Sequence, residues 1–253
     1  MRAAVGLTLL PAFLLAQGFP WELSPRLPVR APLVFVGAGV QAAYTPSLAT
    51  LEVIEGEWSC ATYRRGTGLG LSMGIHAEWW YAPTGALRLL LAAEYARLRL
   101  STLAEPLPLS DGRMLQTEYQ LRYGLWTTRV EALWKQRLWR WLWVGASLWG
   151  ALQWRSAEEQ WEVVLAPADY FFRTLPPARE RRLTSARSVA LRPYGFGIRL
   201  RLGYDLMLAR HHPLYAAPAL VVGTALTSLS TTAAWTRWEL GIEIPLLRGL
   251  PRH

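Results

Sequence analysis

The sequence predicts an all-β fold, an eight-stranded antiparallel transmembrane β-barrel of up-and-down topology, behind a cleaved N-terminal signal peptide. Three observations carry that prediction. Apolar and polar residues alternate with period two through eight stretches, where an amphipathic helix would repeat every ~3.6 residues. The connections between the stretches alternate between short and long, as membrane barrels require. Aromatic residues gather beside the short connections, at the depth where amphipathic rings settle between lipid tails and water.

Composition agrees with this reading. The chain has 253 residues, 52% of them hydrophobic against 18% charged, with a mean hydropathy of +0.12. Such a chain is too apolar for intrinsic disorder. Lys and Arg number 27 against 18 acids, a formal charge of +9, and Lys135 is the single lysine. Nucleic-acid binding needs that charge on one face; here Arg is spread over loops and strands, so no nucleic-acid partner is expected. One cysteine, Cys60, and 4 His cannot make an intramolecular disulfide or a ligand set of zinc spacing, so no metal and no other cofactor are expected.

Along the chain, Arg2 precedes an apolar run over 3–16 that ends Leu-Leu-Ala, the order of a secretory signal peptide. Residues 17–32 are Pro-rich and read as a periplasmic lead-in. The barrel is expected over 33–247, with a C-terminal tail over 248–253. The longest uncharged stretches, 31–51 and 213–236, are broken by Pro, Gly and Ser/Thr and do not read as helical spans.

The first strand, 33–44, puts Gly37, Gly39 and Gln41 on one face, and the second, 68–80, does the same with Gly68, Gly70, Ser72, Gly74, His76 and Glu78. Strands follow at 86–99 and 114–136. The latter sets Leu115, Tyr119, Leu121, Tyr123 and Leu125 against Glu118, Gln120 and Arg122, and its apolar phase flips before Val130, which predicts a β-bulge near Thr127 and Thr128. After a strand at 141–154, residues 192–206 give the clearest alternation: Phe196, Ile198, Leu200 and Leu202 against Gly197, Arg199, Arg201 and Gly203. The last two strands are 214–226 and 236–246. Short connections are expected at 81–85, 137–140 and 207–213, and long ones at 45–67, 100–113 and 155–190, with 227–231 the short exception. An even strand count leaves both termini on the periplasmic side.

Two segments resemble a known family, the porin-like outer-membrane β-barrel domain of small eight-stranded bacterial barrels. Arg129-Val130-Glu131-Ala132-Leu133-Trp134-Lys135 is similar to its central strand, and Leu214-Tyr215-Ala216-Ala217-Pro218-Ala219 to its penultimate one. The resemblance spans about residues 33–247. It implies a bacterial outer-membrane location and a barrel fold, and for most members no defined activity. The chain departs from the pattern in lacking a Pro after Glu131 and in ending on Leu250-Pro251-Arg252-His253 in place of an aromatic residue.

Eight strands enclose a lumen just wide enough for side chains to fill, so the interior is expected to be plugged. The inward charges are read as Glu78, Glu94, Glu118, Glu131, Asp205, Glu239 and Glu243 with Arg122, Lys135, Arg199, Arg201 and Arg237. Ions of opposite sign must pair there, which predicts a cross-lumen network centred on Arg199, Arg201, Glu239 and Glu131. His76 faces inward beside Glu78, but Ser72, the nearest nucleophile on that face, is ~13 Å away along the strand, so a lipid A-modifying enzyme is the weakest reading. Trp79, Trp80, Tyr81, Trp134, Trp139, Trp141, Trp143, Tyr204 and Tyr215 are assigned to the periplasmic girdle, and Tyr44, Tyr95, Trp154 and Tyr194 to a thinner outer one. Arg64, Arg65, Arg97 and Arg99 stand at the rim, suited to lipopolysaccharide phosphates. The expected protein is a monomeric, non-enzymatic envelope or adhesion-type barrel whose partners are outer-membrane lipid and lipopolysaccharide; a narrow or gated transporter of small or hydrophobic molecules is the alternative.

Overall fold

The computed structural model describes residues 33–250 except 56, 57, 83, 140, 175, 184–187 and 210–213. The expected signal peptide, the lead-in and residues 251–253 of the tail lie outside the described residues. The strands are β1 (Leu33–Tyr44), β2 (Ser47–Glu55), β3 (Trp58–Trp80), β4 (Gly85–Leu103), β5 (Leu107–Pro108), β6 (Met114–Arg137), β7 (Leu142–Ala166), β8 (Glu180–Arg182), β9 (Tyr194–Tyr204), β10 (Leu206–Ala209), β11 (Leu214–Ala216), β12 (Ala219–Ala225) and β13 (Trp235–Gly249).

Eight of them close a ring in the order β1, β3, β4, β6, β7, β9, β12, β13, with β13 pairing back onto β1 and every neighbour antiparallel. The others lengthen or edge these. Past Thr45 and Pro46, β2 continues β1 and keeps the same two neighbours, β13 and β3. At the opposite end β10 and β11 carry β9 and β12 onward. Closure leaves the ring no open edge, which is the condition for a sheet to cross lipid.

The outer wall carries the apolar half of the alternation. Leu69, Met73, Leu148 and Leu200 are each more than 60% exposed, as residues facing lipid must be in the isolated chain. On β6, Trp134 marks the lower edge of this belt and Trp126 the upper, eight residues apart. At ~3.4 Å per residue and a tilt of 35–45°, that separation is ~20 Å of height, close to the ~25 Å apolar band of membrane barrels. No helix among the described residues is long and apolar enough to cross a membrane.

Above the belt the wall continues. Segments expected as long loops are largely strand: β2 and the start of β3 occupy 45–67, β4 runs on to Leu103, and β7 to Ala166. β7 rises about a dozen residues beyond Trp154, or ~30 Å at the same tilt. The last strand also runs to Gly249, two residues into the expected tail.

This extension corrects the reading of 114–136. Odd residues of β6 face inward throughout, from Leu115 to Arg137, with no change of phase. What changes is the solvent outside. Beside lipid, Val130 points out and Glu131 in; above it, Arg122 points out and Leu121 and Leu125 pack inside. The register does shift here, with Trp126 opposite Arg155 and Thr127 opposite Gln153, so the extra residue is Trp154 on β7 and not part of β6.

Several strand glycines face the lumen because the narrow interior must hold large side chains. Gly203 and Gly197 lie directly opposite Trp143 and Trp149. A Cβ on either glycine would stand 2.5 Å from the facing indole, so each ring lies on bare backbone. A Gly203→Val substitution is expected to cost ~1–3 kcal/mol or more of stability through overpacking. Gly150→Val, where a Cβ meets nothing within 4 Å, is expected to be near neutral. Urea unfolding in lipid vesicles, read by heat-modifiable gel mobility, checks the contrast.

Candidate functional site

The inner faces of the membrane half carry an ionic lattice, formed because the same period two that gives lipid an apolar wall turns charged residues inward. Six carboxylates (Glu78, Glu94, Glu131, Asp205, Glu239, Glu243) meet seven cations (Arg88, Arg129, Lys135, Arg137, Arg199, Arg201, Arg237) among the described residues. At the short-turn end Asp205, in the break between β9 and β10, accepts from Lys135 Nζ at 2.6 Å and Arg137 Nη2 at 2.7 Å. Lys135 lies 3.5 Å from Glu78, which accepts from Arg88 Nε at 2.7 Å and from the Tyr215 hydroxyl.

The lattice then crosses the lumen. Arg88 on β4 lies 3.9 Å from Glu243 on β13, and Glu243 accepts from Arg201 Nε at 2.6 Å. Arg201 also pairs with Glu131, which takes Arg199 Nη1 at 2.7 Å; Arg199 turns its Nε to Glu239 at 2.7 Å. Arg129 donates to Glu94 at 2.5 Å and to Gln41 at 2.9 Å, and Gln41 donates in turn to Glu239. Arginine suits this packing because one guanidinium can meet two carboxylates, as Arg88, Arg129, Arg199 and Arg201 each do.

Both ends of the lattice are closed by apolar packing. At the short-turn end Phe35, Trp80, Leu133, Trp143, Tyr215 and Leu247 form one buried cluster. Lys135 sits inside it, 4.8 Å from the ring centroids of both Trp80 and Trp143 and 5.4 Å from that of Tyr215. Above the membrane, Leu51, Val53, Tyr63, Leu98, Leu121, Leu125 and Trp235 form a second cluster, joined by Leu183 from the connection after β7. Between lattice and upper cluster lies a polar cavity of about 30 Å³, bordered by Thr45, Thr127, Thr224 and Arg237. It has room for a water or two.

Of the predicted lumenal residues, Glu78, Glu94, Glu131, Lys135, Arg199, Arg201, Asp205, Arg237, Glu239 and Glu243 lie in the lumen. Glu118 and Arg122 do not. They stand on the outer wall above the lipid belt, because the polar face of β6 turns outward where water replaces lipid. Sequence reasoning missed Arg88, Arg129 and Arg137, each buried. Their signal was parity: Arg88 shares a face with Glu94, and Arg129 and Arg137 with Glu131 and Lys135.

The girdle divides in the same way. Trp79, Tyr81, Trp134 and Trp139 are exposed on the outer wall, and Trp141 stacks on Tyr204 at 4.8 Å. Trp80, Trp143 and Tyr215 are at most 5% exposed and belong to the lumenal cluster, not the girdle. Trp80 shares the inner face of Glu78 and His76. On the outer edge Tyr44, Trp154 and Tyr194 are exposed, and Tyr95, Trp126 and Trp154 form a continuous aromatic row. Arg64, Arg65, Arg97 and Arg99 all point outward above it.

His76 is buried, with Nδ1 3.8 Å from a Glu243 oxygen, and Ser72 lies 3.5 Å from Arg129 Nη2. The serine and histidine do not form a nucleophile–base pair. Among the described residues, no three of His, Cys, Asp and Glu are gathered to hold a metal ion.

No protein-family model matches the chain, and no curated protein does. Among the solved structures similar to it are the following two. One is Ail, the attachment invasion locus protein of Yersinia pestis, solved in complex with the heparin analogue sucrose octasulfate: 9% identity, TM-score 0.28, covering 83% of this chain and 98% of that one. The other is the outer membrane protease OmpT of Escherichia coli: 9% identity, TM-score 0.27, covering 88% and 98%. Neither likeness bears on what this chain binds or does. The chain's own geometry is that of an outer-membrane β-barrel: a closed ring of eight antiparallel strands with an apolar exterior, aromatic edges and a polar interior.

The lattice has one more cation than anion. Among the described residues, Arg237 has no carboxylate within ion-pair distance and borders the water-sized cavity. Removing one member of a buried pair strands its partner, so Glu131→Ala is expected to cost ~3–5 kcal/mol. Arg237→Gln, which removes the surplus charge and breaks no ion pair among the described residues, is expected to cost clearly less. Urea titrations of the refolded barrel in vesicles would show the two midpoints well apart.

Proposed function

We propose that this protein is a non-enzymatic, surface-exposed barrel of the bacterial outer membrane, of the porin-like type in fold but not a pore. It serves envelope integrity or attachment. The observation that carries the reading is the filled lumen: apolar cluster, ionic lattice, small cavity and second apolar cluster succeed one another along the axis. A conducting path would have to break several buried ion pairs at once, each costly to open. A catalytic reading has no support in the position of His76, which is sealed in the same lattice away from any substrate.

The surface role is supported by what stands above the lipid. The strand extension lifts the loop end well clear of the membrane. Its tip carries Leu107, Met114, Leu165 and Phe171, each at least 44% exposed, together with an exposed clip in which Arg113 bonds both Asp111 and Asp169. Hydrogen bonds from Arg113 hold both aspartates below the usual carboxylate range. The clip therefore persists at neutral pH and is lost only as pH falls through those lowered values.

In planar bilayers the refolded protein is expected to give no conductance steps over many insertions, and discrete channels in the wild type would sink the plugged-barrel reading. Protease added to intact cells is expected to cut within the connection over 167–193, leaving the turns at 81–84 and 138–141 untouched.

A further inference from the structure

The outer wall holds a built site just above the aromatic row. Across β4 and β6, Arg97 is paired with Gly124 and Arg99 with Arg122, and Gly124 is in turn paired with Ala157 on β7. With almost no side chain at Gly124 and Ala157, a groove of about 430 Å³ opens there, edged by the three arginines and floored by Tyr95. Below it the ring centroids of Tyr95 and Trp126 are 4.8 Å apart and those of Trp126 and Trp154 5.7 Å apart, which fixes the groove at the upper edge of the lipid belt.

The groove's guanidinium groups are only loosely paired. Like charges directly opposite on neighbouring strands repel, and Arg99 and Arg122 are such a pair. Each has one loose carboxylate, Glu118 at 3.7 Å from Arg99 and Glu180 at 3.5 Å from Arg122, all four side chains being partly exposed. Arg97 has no ion pair among the described residues. The groove's own acid, Glu159, takes a hydrogen bond from Trp161 Nε1 at 3.1 Å, and Arg122 lies over that indole at 5.1 Å. Among the described residues Arg97 thus stands without an acid of its own, and Arg99 and Arg122 are held only by contacts of 3.5 Å or more to partly exposed carboxylates, at the plane where lipid headgroups lie.

We infer that this groove binds the phosphate-bearing headgroup of an outer-leaflet glycolipid, its acyl chains lying along the apolar wall below. Guanidinium forks match phosphate oxygens, an aromatic floor carries a sugar ring, and both stand in register over exposed Val130 and Leu152. The inference rests on the outer-membrane reading above and assigns a definite lipid site to one stretch of its wall. Arg64 and Arg65 lie outside the groove.

The test uses the full-length protein in phosphatidylcholine nanodiscs, with bisphosphorylated lipid A as probe and native mass spectrometry as readout. Wild type is expected to retain lipid A in preference to its dephosphorylated form. The double variant Arg97→Gln, Arg99→Gln should weaken retention about tenfold or more. Gly124→Val, whose Cβ would lie 3.2 Å from the Tyr95 hydroxyl, fills the groove with all charges kept and should weaken it comparably. Arg64→Gln with Arg65→Gln should leave it unchanged. Equal retention by wild type and the groove variants overturns the inference. So does displacement of the lipid by an equal concentration of inorganic phosphate, which would mark a site for free anions. Heat-modifiable mobility separates the two readings: a folded barrel indifferent to lipid A overturns the site alone, and a chain that never folds into lipid overturns both.

Discussion

Burying ions in a lumen only eight strands wide is the constraint on which the rest of this structure depends. Water cannot fill such a lumen, so each charge there needs a partner within reach. Glu131 meets that demand by receiving both Arg199 and Arg201 from two strands away, and Glu243 by joining Arg201 to Arg88 across the barrel. Space for those long side chains comes from glycine. Gly197 and Gly203 let Trp149 and Trp143 lie flat on the wall, and the indole faces carry Arg199 and Arg88 above them at 5.3 and 5.6 Å. The Gly-rich inner face and the Arg-rich inner face are thus one solution to one shortage of volume.

A second constraint is the exchange of solvents along each strand. Within the lipid belt the barrel is inverted relative to a soluble protein, polar inside and apolar outside. Above the belt it reverts, and Leu98, Leu100, Leu121 and Leu125 form an ordinary core with arginine outside. Since the backbone alternation does not change phase on β6, the inversion is written in residue types alone. The boundary falls at the row Tyr95, Trp126, Trp154, and the extra residue on β7 lies at that boundary. A bulge there increases local twist where the sheet passes from a lipid-packed to a water-washed wall.

Those two constraints explain what could be read from the chain. The eight wall strands were legible because lipid demands strict alternation, as at 192–206, and the short turns because so few residues separate Trp80 from Gly85 or Arg137 from Leu142. The extension was not legible. In 45–67 and 155–166 an apolar interior and a mixed exterior alternate less sharply, and charges such as Glu158 and Glu159 resemble loop charge. Glu118 and Arg122 were misplaced for a related reason: polarity was equated with the lumen, which holds only inside lipid. Trp80 and Trp143 were misplaced although parity already put Trp80 with Glu78 and Trp143 with Ser147. Girdle logic, which counts aromatic residues near turns, had overridden face logic.

The seventh cation shows how far pairing constrains the lattice. If charge balance alone governed its composition, six acids would be matched by six bases. The surplus guanidinium, Arg237, stands at the top of the lattice, beside the small polar cavity and under Trp235, where it is only partly buried. An unmatched ion is least costly where a few waters can reach it and most costly among the fully enclosed pairs below. Its position therefore follows from the same rule as the pairs themselves. The lumen tolerates imbalance only at the layer where a cavity leaves room for water, and the change from ionic to apolar filling begins directly above.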